Sequence, residues 1–259
     1  MTVASPGVWL VGSLLFALVA SHLGWLVISR VRLAGPVLAA LIWFFTSLFL
    51  LLPPFAAWQS GALSPYYMGL AELDWVRSCL AGAPLALVIA GVVIGGWLIY
   101  RRSIALEPGP EGWARWLQLW RVLWDVSLRQ WHWAFYRAAA IGCLSAGLGL
   151  SAEPEPLRPL LEALLTRPLY WGSWLGLLLA LLEWLLSPAT RSILGMSAGS
   201  APVAWDLTGQ PEATLRGIAM ALATTALFVL TRNFWLCLAC DLLVEAAIMG
   251  RFSSPSSAR

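Results

Sequence analysis

Charge is what this sequence has least of. Asp, Glu, Lys and Arg together make up 11% of its 259 residues, lysine is absent and histidine occurs twice. Soluble domains carry about 25% charged residues, so the composition excludes an ordinary cytosolic enzyme, a disordered segment and a nucleic-acid binder. All 16 basic residues are arginine. They are scattered between apolar stretches and not gathered on one water-facing element, as a nucleic-acid surface requires. Cysteine is scarce as well: Cys79, Cys143, Cys237 and Cys240 lie in or beside apolar stretches, where a cysteine behaves as a small buried hydrophobe. The Cys237-x-x-Cys240 spacing lacks the second ligand pair of a structural zinc site, which makes a redox or metal role the lesser reading.

What is abundant is apolar: 60% of the residues are hydrophobic and the mean hydropathy is +0.77. A membrane span takes roughly 20 apolar residues, so the length accommodates about six to eight of them. The expected fold is all-α: a single polytopic membrane bundle of about seven transmembrane helices with one amphipathic interfacial helix. Spans are predicted at Gly7–Ile28, Ala34–Trp58, Cys79–Tyr100, Trp131–Leu150, Pro168–Leu186, Gly217–Leu230 and Asn233–Met249. The first has no basic leader or small-residue cleavage site and reads as a retained span. Pro53-Pro54 sits near the end of the second, where a helix break is tolerated.

Between the spans the pattern changes. Gln59–Arg77 is polar enough for a loop or interfacial turn, and Ser103–Gly112 and Ser151–Pro156 are broken by proline and glycine. Leu157–Thr166 reads as a short helical piece. Ser187–Leu215 is rich in Gly, Ser and Pro, and its part around Ile193–Val203 suits a re-entrant segment. Trp113, Trp116, Trp120 and Trp124 recur at spacings of three and four, which puts four indoles on one helical face. This is the amphipathic helix, or else the early part of a long membrane helix. The organisation expected is N-terminal helices and loop over 1–112, a membrane core over 113–250 and a disordered tail over 251–259.

Arginines are retained on the cytoplasmic side. With the N-terminus outside and seven crossings, eleven arginines fall inside and four, Arg77, Arg158, Arg167 and Arg232, fall outside. That count favours a cytoplasmic C-terminus over an eighth crossing. The 17 tryptophans suit anchoring at the membrane interface, with pigment or quinone contact the lesser reading, so the sequence fixes no cofactor. The partners it implies are the lipid bilayer and a larger membrane complex.

Ionisable groups in a bilayer core cost roughly 2.5 to 3.5 kcal/mol each and are therefore candidate functional residues. They are His22 in the first span, His132 and Arg137 in the fourth, Glu183 in the fifth, and Asp241 and Glu245 in the last. Asp241 and Glu245 lie four apart, on one helical face. Arg137 is the expected counter-charge if the fourth and last spans pack together, either as a fastening ion pair or as part of a reactive site.

Two stretches resemble the CPBP family, the CAAX-processing and bacteriocin-processing intramembrane endopeptidases. Val126-Ser-Leu-Arg-Gln-Trp-His132-Trp133-Ala-Phe-Tyr136-Arg137 is similar to the family's first motif, Glu-Glu-x-x-x-Arg with an aromatic residue before the arginine. Tyr136 and Arg137 match, and His132 and Trp133 stand in place of the glutamates. Leu230-Thr-Arg-Asn233-Phe-Trp235-Leu-Cys-Leu-Ala-Cys-Asp241-Leu-Leu-Val-Glu245 resembles the last motif, a Thr-Gly-Asn-Leu-Trp turn leading into His-x-x-x-Asn or His-x-x-x-Asp. Asp241 takes the histidine position and Glu245 the Asn/Asp position. The middle motif, Phe-x-x-x-His, has Leu179-x-x-x-Glu183 or Tyr170-x-x-x-Trp174 as its counterpart.

In the family a first-motif glutamate activates water while the histidines position it, stabilise the oxyanion or bind a metal. The resemblance therefore implies the family fold with degenerate catalytic letters at His132, Trp133, Arg137, Glu183, Asp241 and Glu245. Three functions follow: a scaffold or regulatory subunit that has lost its chemistry, a peptidase using His132 as base with the carboxylates as water or metal ligands, and a small ion-coupled transporter built on Asp241 and Glu245. No internal repeat supports the transporter.

Overall fold

The computed structural model describes residues 5–30, 35–102, 113–146, 164–186 and 211–250. Regular structure among them is entirely helical: α1 (Pro6–Arg30), α2 (Gly35–Gln59), α3 (Pro65–Met68), α4 (Trp75–Arg102), α5 (Trp113–Ser145), α6 (Pro168–Leu186), α7 (Pro211–Thr231) and α8 (Phe234–Gly250). Four of these contain stretches long and apolar enough to cross a membrane, Pro6–Leu23, Ala40–Gln59, Trp75–Tyr100 and Pro168–Leu186, and Leu215–Thr231 is a shorter apolar helix. The loops expected at Ser103–Gly112 and Ser151–Pro156, the re-entrant segment at Ile193–Val203, most of the Leu157–Thr166 piece and the tail from Arg251 lie outside the described residues.

The helices face two environments. Leu80, Leu87, Val92 and Ile99 of α4 are each more than two-thirds exposed. In water, burying one such side chain would be worth about 1.5–3 kcal/mol, so a continuous apolar exterior of this kind is that of a membrane-embedded protein. Inside, a polar and aromatic core gathers around α5. Its Phe135, Tyr136, Arg137, Ala138, Ala139 and Ile141 are all buried.

α5 departs from the expected division into an interfacial helix and a separate span. It is one continuous helix of 33 residues, because no proline or glycine interrupts 113–141. Trp116, Trp120 and Trp124 do share an exposed face, but on the first half of a long helix. That half is tied to α2: Trp43 Nε1 donates to Asp125 Oδ1 at 3.0 Å and Trp124 Nε1 to Ser47 Oγ at 3.3 Å. α2 likewise stays helical through Pro53 and Pro54.

The segment between α2 and α4 folds back on the bundle. Ser64 caps α3, accepting from Tyr66 N, with Pro65 in the first turn and Gly69 ending the helix at φ +73°. A Cβ at Gly69 would lie 2.8 Å from Arg232 O, and Gly69 O accepts from Phe234 N at 3.0 Å. Glycine at this position thus lets α3 dock on the α7–α8 turn. In that turn Arg232 has φ +53°, and Asn233 caps α8 by accepting from Leu236 N at 3.1 Å.

α5 and α6 pack closest. A Cβ at Gly172 would lie 2.7 Å from Ile141 N, and one at Gly176 would lie 2.6 Å from both Cα and N of Arg137. Backbone cannot yield as a flexible side chain does, so Gly176→Ala should lower stability in detergent by about 1–3 kcal/mol. Gly91→Ala on α4, where a Cβ meets nothing within 4 Å, should be neutral or raise stability by up to about 1 kcal/mol. Thermal denaturation of the two variants beside the unaltered protein checks the contrast.

Candidate functional site

α5 presents polar residues to two sides, and each side meets different helices. On the first, His132 Nε2 lies 3.0 Å from Glu183 Oε2 of α6. Tyr136, one turn further along α5, donates its hydroxyl to the same carboxylate oxygen. Ser13 of α1 is 3.5 Å from that hydroxyl. The His132 ring is walled by Phe49 and Phe135, with centroids at 5.1 and 6.0 Å. His132 and Tyr136 are buried, and Glu183 keeps 15% of its side chain exposed.

The second side of α5 faces α7 and α8. Gln130 Nε2 donates to Asp241 Oδ2 at 2.8 Å and reaches Thr224 Oγ1 at 3.4 Å. Arg129 Nη2 stands 3.8 Å from the same Asp241 oxygen and its guanidinium lies over the Trp133 ring at 5.6 Å. One turn along α8, Glu245 accepts from Arg216 Nε at 2.9 Å, and Arg216 in turn stacks over Trp97 of α4 at 5.5 Å. The two carboxylates that share a face of α8 are therefore each matched by a different arginine.

Arg137 is the correction to the expected pairing. It is 1% exposed, lies 4.4 Å from the Phe228 ring centroid, and none of its three guanidinium nitrogens has a hydrogen-bond partner among the described residues. Asp241 and Glu245 are held by Arg129 with Gln130 and by Arg216, not by Arg137. The reason is position along α5. Arg129 and Gln130 lie about two turns before Arg137, level with Asp241, whereas Arg137 lies level with Phe228 of α7.

The remaining residues singled out in the sequence fall apart from these clusters. Trp133 is a half-buried stacking surface for Arg129. His22 turns back on its own helix, Nδ1 2.7 Å from Leu18 O. Of the two counterparts of the middle motif, Glu183 is the one that meets His132. All four cysteines are free, and Cys237 and Cys240 donate to the Thr224 and Ala86 carbonyls at 3.3 and 3.9 Å, the behaviour of small packed residues that fasten α8 to α7 and α4. Among the described residues no group of three or more His, Cys, Asp or Glu is placed to hold a metal.

Gln130, Thr224, Arg129 and Arg216 carry as much of the arrangement as the residues picked from sequence. Thr224 and Thr225, side by side in an apolar run, were the available signal. Arg129 and Arg216 read as topology markers because they flank spans. No protein-family model, curated protein or solved structure matches the chain.

Leaving a buried charge unpaired costs several kcal/mol, while a desolvated cation–π contact returns about 2 kcal/mol. Arg137→Met should therefore be neutral or raise the melting temperature, whereas Gln130→Leu, which removes the buried hydrogen bond to Asp241 and leaves it only Arg129 at 3.8 Å, should lower stability by about 1–3 kcal/mol. A double-mutant cycle between Arg137 and Asp241 should give a coupling within about 0.5 kcal/mol of zero, and one between Gln130 and Asp241 a coupling above that.

Proposed function

We propose that this protein is a catalytically degenerate relative of the CPBP intramembrane endopeptidases that acts as a membrane scaffold or assembly subunit. The observation that carries the reading is how the polar groups at the motif positions are used. His132 and Glu183 bind each other across α5 and α6, and Asp241 and Glu245 are taken up by Arg129, Gln130 and Arg216. Neither the recess walled by Leu10, Ala140 and Leu179 nor the one walled by Leu169, Ser173 and Phe228 is lined by His132, Arg137, Glu183, Asp241 or Glu245. Polar groups used in this way hold helices together, which is what a scaffold needs of them.

The resemblance itself draws support from one local feature. In the Thr231-Arg232-Asn233-Phe234-Trp235 turn, Arg232 occupies the position where the family motif has glycine, and its φ of +53° is the left-handed conformation that glycine favours. Asn233 caps the following helix. A left-handed residue at this position is what the family's glycine would favour, and fold passes between relatives more readily than activity.

A second reading, a peptidase with exchanged letters, is favoured by the 3.0 Å contact of His132 with Glu183. A histidine stands where the family has a glutamate and a glutamate where it has a histidine, and a carboxylate that orients an imidazole is the usual support for a histidine base. The carrier reading rests on Asp241 and Glu245, each of which is matched by an arginine.

Purified protein incubated with a panel of prenylated and transmembrane peptides should give no cleavage above that of His132→Ala, since loss of a positioned general base removes about 10² to 10⁴ in rate. Purification under native conditions in mild detergent should retain a membrane partner in fixed stoichiometry. Turnover that His132→Ala abolishes would overturn the scaffold reading in favour of the second.

A further inference from the structure

A recess of about 220 Å³ opens between the start of α6 and the end of α7, lined by Leu169, Tyr170, Ser173, Phe228, Val229 and Arg232. It sits where apolar helices end. The membrane-crossing stretch of α6 begins at Pro168, that of α4 begins at Trp75, and the apolar part of α7 ends at Thr231. Ser78 Oγ donates to Thr231 O at 3.2 Å and so holds the start of α4 at the same level. Trp75, Tyr170, Trp171 and Trp235 are exposed at this end of the bundle, as in the aromatic belt of a membrane–water interface. The recess therefore opens at the depth of lipid headgroups.

Arg232 is the charge that lines it. Its backbone is held at φ +53° and its N–H donates to Phe228 O at 2.6 Å, which fixes the residue beside the cavity. The side chain is exposed. Nη1 donates to the Tyr66 hydroxyl at 3.2 Å, and among the described residues no carboxylate lies within 4 Å of the guanidinium. Of the acids in the neighbouring α3–α4 connection, Glu72 and Asp74, the second is engaged in capping α4, where it accepts from Arg77 N at 3.0 Å. A guanidinium stays charged and carries five N–H donors, so most of its bonding capacity is free for a ligand. Leu169 and Tyr170 add to the same sign, because they belong to the first turn of α6, where the leading N–H groups lack partners within the helix and the dipole is positive. The side chains of Leu169, Phe228 and Val229 make the other walls apolar.

We propose that this recess binds the headgroup of an anionic phospholipid. The phosphodiester lies on Arg232 and the first turn of α6, and the glycerol and upper acyl chain lie against Leu169, Phe228 and Val229. A free anion would leave that apolar wall uncovered. A zwitterionic lipid would bring an ammonium group to an end of the bundle that also carries Arg77 and Arg167, setting like charge beside like. The site stands whether the chain is a scaffold or a hydrolase, since no bond has to be broken.

The test uses the full chain in phosphatidylcholine nanodiscs doped with a phosphatidylglycerol that carries a diazirine on its headgroup. Adducts should concentrate on peptides containing Leu169–Ser173 and Phe228–Arg232. Unlabelled phosphatidylglycerol should displace the probe, whereas extra phosphatidylcholine or millimolar inorganic phosphate should not. Arg232→Gly removes the cation yet suits the left-handed backbone, so it should weaken labelling roughly tenfold while the melting temperature holds. Val229→Trp, at the half-buried wall of the recess, should block labelling several-fold by filling the space. Arg77→Gln removes an exposed charge at the same end that does not line the recess, and should cost less than about threefold. If Arg232→Gly does not fold, Val229→Trp and the competition series decide. Displacement by inorganic phosphate, which would mark a site for a free anion, would overturn the proposal. So would equal competition by phosphatidylcholine, equal losses in Arg77→Gln and Arg232→Gly, or undiminished labelling of Val229→Trp.

Discussion

The bundle is organised by the cost of burying polar side chains among apolar helices. α5 carries Arg129, Gln130, His132, Tyr136 and Arg137 within about two turns, and four of the five are wholly or nearly buried. At roughly 2.5 to 3.5 kcal/mol for each ionisable group placed in a membrane core, such a helix is tenable only if neighbouring helices bring complementary groups. α6 brings Glu183 and α8 brings Asp241. The polar content of α5 therefore selects which helices pack on it and at what height.

Close approach makes the first of those matches attainable. Gly172 and Gly176 let the backbones of α5 and α6 come together with no Cβ between them. Glu183 follows Gly176 by seven residues, about two turns, so the spacing fixed at the glycines sets the reach of its carboxylate toward His132. Small residues at a helix contact are the ordinary means of close packing in membranes, and here they also position a polar pair. The second match works differently. Asp241 is reached by the long side chains of Arg129 and Gln130, and Glu245 by Arg216, so α8 needs no comparable glycine seam.

Arg137 stands outside both matches, with an aromatic ring in place of a counter-ion. A buried guanidinium so held contributes less to stability than one paired with a carboxylate. Among the described residues it marks the place where buried charge goes unpaired. The apolar exterior and the paired interior together describe a bundle whose polar groups serve first to assemble it.

Much of the architecture was legible in the sequence, because hydrophobic length and period are local properties. The α6 span was readable to the residue. The helices over the first three expected spans and the last begin and end within a few residues of them, whereas the helix expected from Gly217 begins at Pro211 and the one expected from Trp131 begins at Trp113. The continuity of α5 was less legible: the tryptophan face suggested a separate interfacial helix, yet nothing between Trp113 and Ile141 breaks a helix, and packing on α2 carries it through. Ionisable residues inside apolar runs likewise declared themselves one by one. Their partners did not. Sequence spacing could pair Asp241 with Glu245 on one helix, but it could not tell whether Arg129, Arg137 or Arg216 would face them. That depends on the crossing of α5 over α8 and on the depth at which each helix sits. Composition and period determined that this chain is a membrane-embedded helical protein and which of its side chains must find partners there. Only the packing of α5 against α6, α7 and α8 decided which partners they found, because contacts between helices are set by axial offset and crossing geometry, which no single segment encodes.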